Sequence, residues 1–189
     1  SADLEKIDIN RIQPAIICQS KGKIQHILEI WRTSQHGWVI SNYPGEGFQV
    51  ANLLNKFHIR ENFEFQLLTP TMLRLDLRGP KSSTALEIIG LSEPSATSEF
   101  FFNGKKLLCT RHQHHGVEHY SLLIPGNEVE NVATKLLDQE ECSWVGWDAW
   151  NEMNLIERIP VFGRDFTNDN FAQEAALKDH ISFSKGCYI

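Results

Sequence analysis

The chain has 189 residues, 41% of them hydrophobic, which is enough to bury a core as one large domain or two small ones. Its formal net charge of −6 argues against wholesale electrostatic capture of nucleic acid, so we expect no direct nucleic-acid partner. No apolar run approaches the ~20 residues of a membrane span, and we expect no membrane partner.

Three short strands are predicted at the beginning of the chain. An apolar run at 15–19 meets a turn at Gly22, after which residues 24–31 alternate as a strand does. A second turn at 35–37 leads into a third strand at 38–40. Together these segments predict a three-stranded meander.

The hydrophobic period changes after the meander. Apolar residues at helical spacing predict a helix from Glu46, and they are Phe48, Ala51, Leu53, Leu54 and Phe57. Alternation then predicts strands at 63–67 and 72–77. A short helix is predicted over 85–89.

The second part of the chain repeats this order after a polar, proline-containing linker at 91–98. Asn103-Gly104 is a strong hairpin signal between two strands. A further strand is predicted at 120–124, and an amphipathic helix after Asn127. A tryptophan-rich helix is predicted from Gly146 to about Arg158.

The order of elements predicts the fold class. Mostly antiparallel strands with inserted helices are typical of an α+β chain, here in two related lobes of sheet with packed helices. We place the first lobe at residues 1–91 and the second at residues 99–189. The polar linker separates them.

Histidines cluster in the stretch RHQHHGVEHY, where they occupy positions 112, 114, 115 and 119. Clustered histidines can bind a metal ion. On a strand, however, His112 and His114 would share a face while His115 points away, and Glu118 is the nearby carboxylate. We therefore favour a polar hairpin tip over a metal site.

Tryptophans cluster in the last predicted helix. Trp147 and Trp150 are three residues apart and share a helix face, with Trp144 adjacent. One interpretation is a core or a lobe interface. The other is an aromatic wall for a planar ring such as a pterin. The residues alone do not separate the two.

Asp76 is a single acidic residue in the stretch LDLRGP. It alternates with Leu75 and Leu77, so its side chain points away from theirs. We expect it to be a solvated strand residue.

Cysteines occur at positions 18, 109, 142 and 187, and no pair has the C-x-x-C spacing of zinc fingers and thioredoxins. Free thiols in a reducing compartment are therefore predicted. Gly186 gives backbone freedom directly before Cys187, and the charge of Lys185 would favour its thiolate. A buried, inert cysteine is the alternative.

The last nine residues, ISFSKGCYI, follow an Ile159-Pro160 pair and the residues Gln173 and Leu177. This pattern resembles the YgfZ-type branch of the folate-binding aminomethyltransferase family, whose signature K-G-C-(F/Y)-x-G-Q-E is preceded by "isF". The branch also carries G-I-P and P-Q-x-x-N-L upstream. Weaker resemblance covers most of the chain, for example SKGKI at 20–24 and LDLRGP at 75–80.

The resemblance implies a ring of lobes around a central channel that holds tetrahydrofolate. The residues that we assign to the cofactor are Trp147, Trp150, Gly186 and Tyr188. The branch supports assembly or repair of iron–sulfur clusters, so the implied partners are folate and iron–sulfur enzymes or assembly proteins, including enzymes that modify tRNA. Cys187, with Lys185, would be the functional thiol. The implied location is the cytoplasm, or the mitochondrial matrix in a eukaryote.

The sequence also departs from the family. Relatives that use folate as a one-carbon acceptor carry R-I-E-x-G-x-P, but here Asn154, Ile156 and Arg158 replace its Arg, Glu and Gly, and Glu157 is one place off. We therefore lean against enzyme activity. A folate-dependent aminomethyltransferase and a diverged, non-catalytic binding module remain the alternatives. The family's first segment, final Gly-Gln-Glu and C-terminal barrel are missing, so we expect the chain to be the middle of a longer protein.

Overall fold

The computed structural model describes residues 3–43, 45–60, 62–92, 97–112, 116–140 and 142–185. Within these ranges the strands form two antiparallel sheets with helices packed on them, and the predicted α+β class is confirmed. No helix within these ranges is long and apolar enough to span a bilayer.

The first sheet contains β1 (Arg11–Cys18), β2 (Ile24–Arg32) and β3 (Trp38–Asn42), in that order. The predicted meander is therefore confirmed. Its first turn depends on Gly22, whose φ of 84° lies in the left-handed region. Helix α1 (Gly47–Phe57) follows, as predicted, and contributes the buried Val50.

The second sheet has the strand order β4-β7-β6-β5. Its strands and the three remaining helices have the following bounds: β4 (Met72–Arg78), α2 (Ser82–Ile88), β5 (Thr97–Phe102), β6 (Lys105–Arg111), β7 (His119–Pro125), α3 (Val129–Leu137) and α4 (Trp147–Ile156). Short 3-10 helices lie at Leu4–Lys6, Gly126–Glu128 and Lys178–His180.

The Asn103-Gly104 hairpin is confirmed. Both residues have positive φ, 50° and 74°, as a tight two-residue turn between twisted strands requires. The strand predicted at 63–67 is wrong, because residues 62–68 have no regular secondary structure. Their aromatic rings pack locally instead: Phe63 stacks on His58 with ring centroids 4.1 Å apart, and Phe65 meets Phe63 edge-on.

Hydrophobic packing covers both faces of the first sheet. Ala15 and Leu28 pack with Val50 of α1 on one face. On the other face, Ile16 and Ile24 pack against a returning segment, residues 162–181. That segment contributes Phe166, Ala172, Ala175 and Leu177. Since adjacent residues of a strand point to opposite faces of the sheet, Ala15 packs on the α1 side and Ile16 packs against the returning segment.

The second sheet shares one large core with α2 and α3. It includes Leu86, Leu122, Ile124, Val132 and Leu136, each 4% exposed or less. Between the two sheets lies a smaller cluster in which Trp31 of β2 packs with Leu108 and Leu123 of the second sheet.

The boundary that we predicted between residues 91 and 99 does not separate the two sheets. Strand β4 and helix α2 precede it in the chain, yet β4 pairs with β7 and α2 packs into the second core. The segment 162–181 follows it, yet packs on the first sheet. The chain therefore crosses between the sheets more than once.

Candidate functional site

Polar side chains meet where the first and second sheets face each other. We call this group the intersheet cluster, and its members are Glu29, Arg74, Asp76, His112, His119 and Ser121. They come from β2, β4, β7 and the residue directly after β6.

Strand pairing sets the centre of the cluster. The antiparallel register of β4 and β7 places Asp76 opposite Ser121, and Arg78 opposite His119. Directly opposed residues project on the same side of a sheet, so their side chains meet. The Ser121 hydroxyl donates a short hydrogen bond to Asp76 Oδ1. His119 Nε2 lies 3.5 Å from the same carboxylate oxygen.

His112 completes this centre from the neighbouring strand. Its backbone N–H donates to the carbonyl oxygen of His119 at 2.9 Å, and the two imidazole rings stack with centroids 4.1 Å apart. His112 Nε2 lies 2.7 Å from Ser121 Oγ. Its Nδ1 faces Glu29 Oε1 at 3.4 Å. Both rings are buried, so the two histidines belong to the packed interior.

Arg74 links the centre to the first sheet. Its Nε donates to Asp76 Oδ1 at 2.9 Å, and its Nη1 donates to Glu29 Oε2 at 2.6 Å. Nη1 also donates to Ser41 Oγ on β3, at 2.9 Å. One guanidinium thus ties β4 to two strands of the first sheet. Forked, charge-assisted bonds of this kind are strong and directional.

Electrostatics keep the cluster charged. Burial by itself would raise the pKa of Asp76, but hydrogen bonds and charge from His119 and Arg74, with the Ser121 hydroxyl, hold that pKa well below its usual range. Burial would lower the pKa of Arg74, but Glu29 and Asp76 raise it further above neutrality. Both groups are therefore ionised at physiological pH.

A second polar group adjoins the first through Trp150. The indole of Trp150 meets the His119 ring edge-on, with ring centroids 5.7 Å apart. The Arg78 guanidinium also lies over the indole, 5.2 Å from the ring centroid. Arg78 donates to Asn154 Oδ1 and to Glu157 Oε2, both at 2.6 Å. The end of α4 is thereby tied to the end of β4.

Our interpretation of the histidines as a hairpin tip is wrong for His112 and His119, which are buried at the base of the hairpin. His114 and His115 lie outside the described residues. The sequence did contain a signal, because His119 directly precedes the predicted strand at 120–124, which is largely apolar. It could not show that β4 would pair there and bring Asp76 within reach.

The prediction that Asp76 is solvated is also wrong. Alternation correctly placed it on the opposite face from Leu75 and Leu77, which pack against the second core. The opposite face, however, is covered for the most part by Glu29, Arg74 and the two histidines, which leave 24% of the Asp76 side chain exposed.

The structure separates the remaining predicted site residues. Trp147 is exposed, at 76% of its surface, whereas Trp150 adjoins the intersheet cluster. Trp144 is also exposed. Lys185 is the last described residue and is half-buried. Gly186, Cys187 and Tyr188 lie outside the described residues.

Comparison with known proteins supports the fold over nearly the whole chain. No family model matches. The aminomethyltransferase of Caldanaerobacter subterraneus subsp. tengcongensis is 20% identical over 99% of this chain and 52% of its own length. That of Symbiobacterium thermophilum is 20% identical over 97% of this chain and 53% of its own length.

A solved structure gives the same result. The glycine cleavage system aminomethyltransferase T from Bartonella henselae superposes with a TM-score of 0.82 at 21% identity, covering 96% of this chain and 50% of that one. The chain thus spans about half the length of the proteins it matches. It has the aminomethyltransferase fold, with sequence similarity to aminomethyltransferases at low identity.

Proposed function

We propose that the chain is part of a folate-binding accessory protein of the YgfZ type, which supports assembly or repair of iron–sulfur clusters. The fold match over 96% of the chain supports the folate-binding part of the proposal, because the family that the sequence resembles binds tetrahydrofolate. The stretch ISFSKGCYI at 181–189 supports the branch. The net charge of −6 suits action on an enzyme rather than a direct grip on tRNA.

Tetrahydrofolate is the proposed ligand, with Trp147 and Trp150 beside the pterin. The exposed indole of Trp147 offers a face on which a planar ring can stack. Trp150 is held between His119 and Arg78, so its orientation is fixed before a ligand arrives. Gly186 and Tyr188 complete the proposed set from the sequence.

Titration of tryptophan fluorescence with tetrahydrofolate tests the ligand. We expect saturable quenching that Trp147→Ala weakens at least ten-fold. Trp38→Phe is the matched control, since Trp38 is partly exposed on β3 of the first sheet, and it should leave the affinity unchanged. Wild-type protein that shows no saturable quenching contradicts folate binding.

Cys187 is the proposed functional thiol, and Lys185 the residue that favours its thiolate. The test is rescue of an iron–sulfur enzyme's activity in cells that lack their own accessory protein. We expect Cys187→Ala to abolish rescue and Lys185→Gln to reduce it. Cys18→Ala is the matched control, because Cys18 is an exposed thiol elsewhere, on β1. Equal rescue by wild type and Cys187→Ala would sink this assignment.

A folate-dependent aminomethyltransferase is the second candidate, favoured by the names of the two curated relatives. It would need a carboxylate to clasp the pterin, yet Glu157, the nearest to the family's position, is committed to Arg78. An assay of aminomethyl transfer to tetrahydrofolate, in which product formation is measured, distinguishes the aminomethyltransferase from the accessory protein. Folate binding without either turnover or rescue would leave a non-catalytic binding module.

A further inference from the structure

We propose that Asp76, His112 and His119 form a binding site for a divalent transition-metal ion such as Zn²⁺. Each offers one ligand atom, and the three atoms lie within 4.8 Å of one another. Two imidazoles and one carboxylate are a donor set that suits zinc and its first-row neighbours. The proposal does not depend on the proposed function.

The direction of the ring nitrogens supports the site. His112 turns Nδ1 toward Glu29, at 3.4 Å, and Nε2 toward the Ser121 hydroxyl, which in turn donates to Asp76. A histidine that binds a metal usually donates its other ring N–H to a carboxylate, which fixes the ring and its tautomer. Glu29 is placed to do this for His112, and Nε2 then faces Ser121, the residue that hydrogen-bonds Asp76.

The net charge of the intersheet cluster favours binding of a cation. Within the intersheet cluster, Glu29 and Asp76 carry negative charge and Arg74 carries positive charge, which leaves one net negative charge when the histidines are neutral. A divalent ion bound through neutral imidazoles would compensate it.

Geometry defines what binding requires. Ligand atoms around a tetrahedral zinc ion at 2.0–2.2 Å are about 3.4 Å apart. The pair formed by His119 Nε2 and Asp76 Oδ1 already has a separation of 3.5 Å. His112 Nε2 must move toward them, and its present contact, the Ser121 hydroxyl, can rotate away about its own side-chain bond. The ion would then have three protein ligands and one open position.

Cobalt binding, read by visible absorption, tests the site. After treatment with a chelator, the chain should take up one equivalent of Co²⁺ with a d–d spectrum typical of nitrogen and oxygen ligands, and Zn²⁺ should displace it. We expect His119→Ala to weaken Zn²⁺ binding at least 100-fold in competition with a chromophoric chelator. Glu29→Gln should weaken it 10- to 100-fold, because Glu29 acts through His112.

Two controls make the result decisive. His114→Ala with His115→Ala removes the other histidines of the same stretch and should leave binding unchanged, as should His36→Ala at an exposed turn. Should His119→Ala fail to fold, His119→Gln keeps a side chain of similar reach, and its near-ultraviolet circular dichroism reports folding. Binding lost with His114 and His115 but kept without His119 overturns the site. So does wild-type protein that binds no Co²⁺.

Discussion

Arg78 and Glu157 form a buried ion pair although they are 79 positions apart, with Nη2 and Oε2 separated by 2.6 Å. Their side chains are 2% and 6% exposed. The pair joins the last residue of β4 to the residue that follows α4. Gly116 packs against the Glu157 side chain, where an added Cβ would lie 3.0 Å from the carboxyl carbon.

Removing one member of this pair should destabilise the protein strongly. Arg78→Met leaves the Glu157 carboxylate buried without its partner, and the expected cost is about 3–5 kcal/mol in the free energy of unfolding. Urea denaturation measures it. Lys106→Gln, which breaks an exposed pair with Glu99, should change stability little. The double variant Arg78→Met, Glu157→Met should be more stable than Arg78→Met alone, and a greater loss would contradict this account.

Trp31 should matter far more for folding than the tryptophans of α4. It is fully buried between the sheets, against Leu108 and Leu123. Trp31→Ala should cost about 3–5 kcal/mol by loss of buried surface and creation of a cavity. Trp147→Ala removes an exposed ring and should stay within about 0.5 kcal/mol. Equal effects in thermal or urea unfolding would argue against the buried position of Trp31.

Thiol reactivity should separate Cys109 from Cys18. Cys109 is buried in the second core, and burial raises the pKa of its thiol to about 12. Cys18 is exposed. At pH 8 and in native buffer, iodoacetamide should modify Cys18 while Cys109 stays unmodified until denaturant is added, as peptide mass spectrometry can show. Native-state modification of Cys109 at a comparable rate would be inconsistent with the core described above.

Asp165 should titrate below the usual range of a carboxyl group. A hydrogen bond from Arg164 and another from the Val161 backbone lower the pKa of Asp165 to about 2. Because the folded pKa is depressed, the ionised carboxylate stabilises the fold above pH ~4, and this contribution is lost as the pH falls toward 2. NMR titration of the carboxyl carbon measures it. Arg164→Gln should move the midpoint upward, and an unmoved midpoint would contradict the assigned cause.

Local signals predicted much of the fold. The Asn103-Gly104 turn and the turn at Gly22 join strands that are neighbours in the chain. For these hairpins, both the strands and their pairing could therefore be predicted from the sequence. The β4–β7 pairing joins segments that are distant in the chain, and no turn residue encodes it. This is why the lobe boundary and the β4 neighbours could not be predicted.

The intersheet cluster was missed for the same reason. Alternation told us which face of β4 Asp76 occupies, but not what covers that face. We considered His112 and His119 among the four histidines of one stretch, and favoured a polar hairpin tip. Their carboxylate partner lies on another strand, at a separation that no ligand-spacing rule covers. Sequence reasoning did place Trp150 correctly on a helix, but not its contact with His119.

The returning segment at 162–181 has a consequence for the order in which the chain leaves the ribosome. Ile16 and Ile24 are made well before the residues that cover them, including Phe166 and Leu177. One face of the first sheet must therefore stay uncovered while more than a hundred further residues emerge. During that interval the nascent chain exposes an apolar surface of the kind that chaperones recognise.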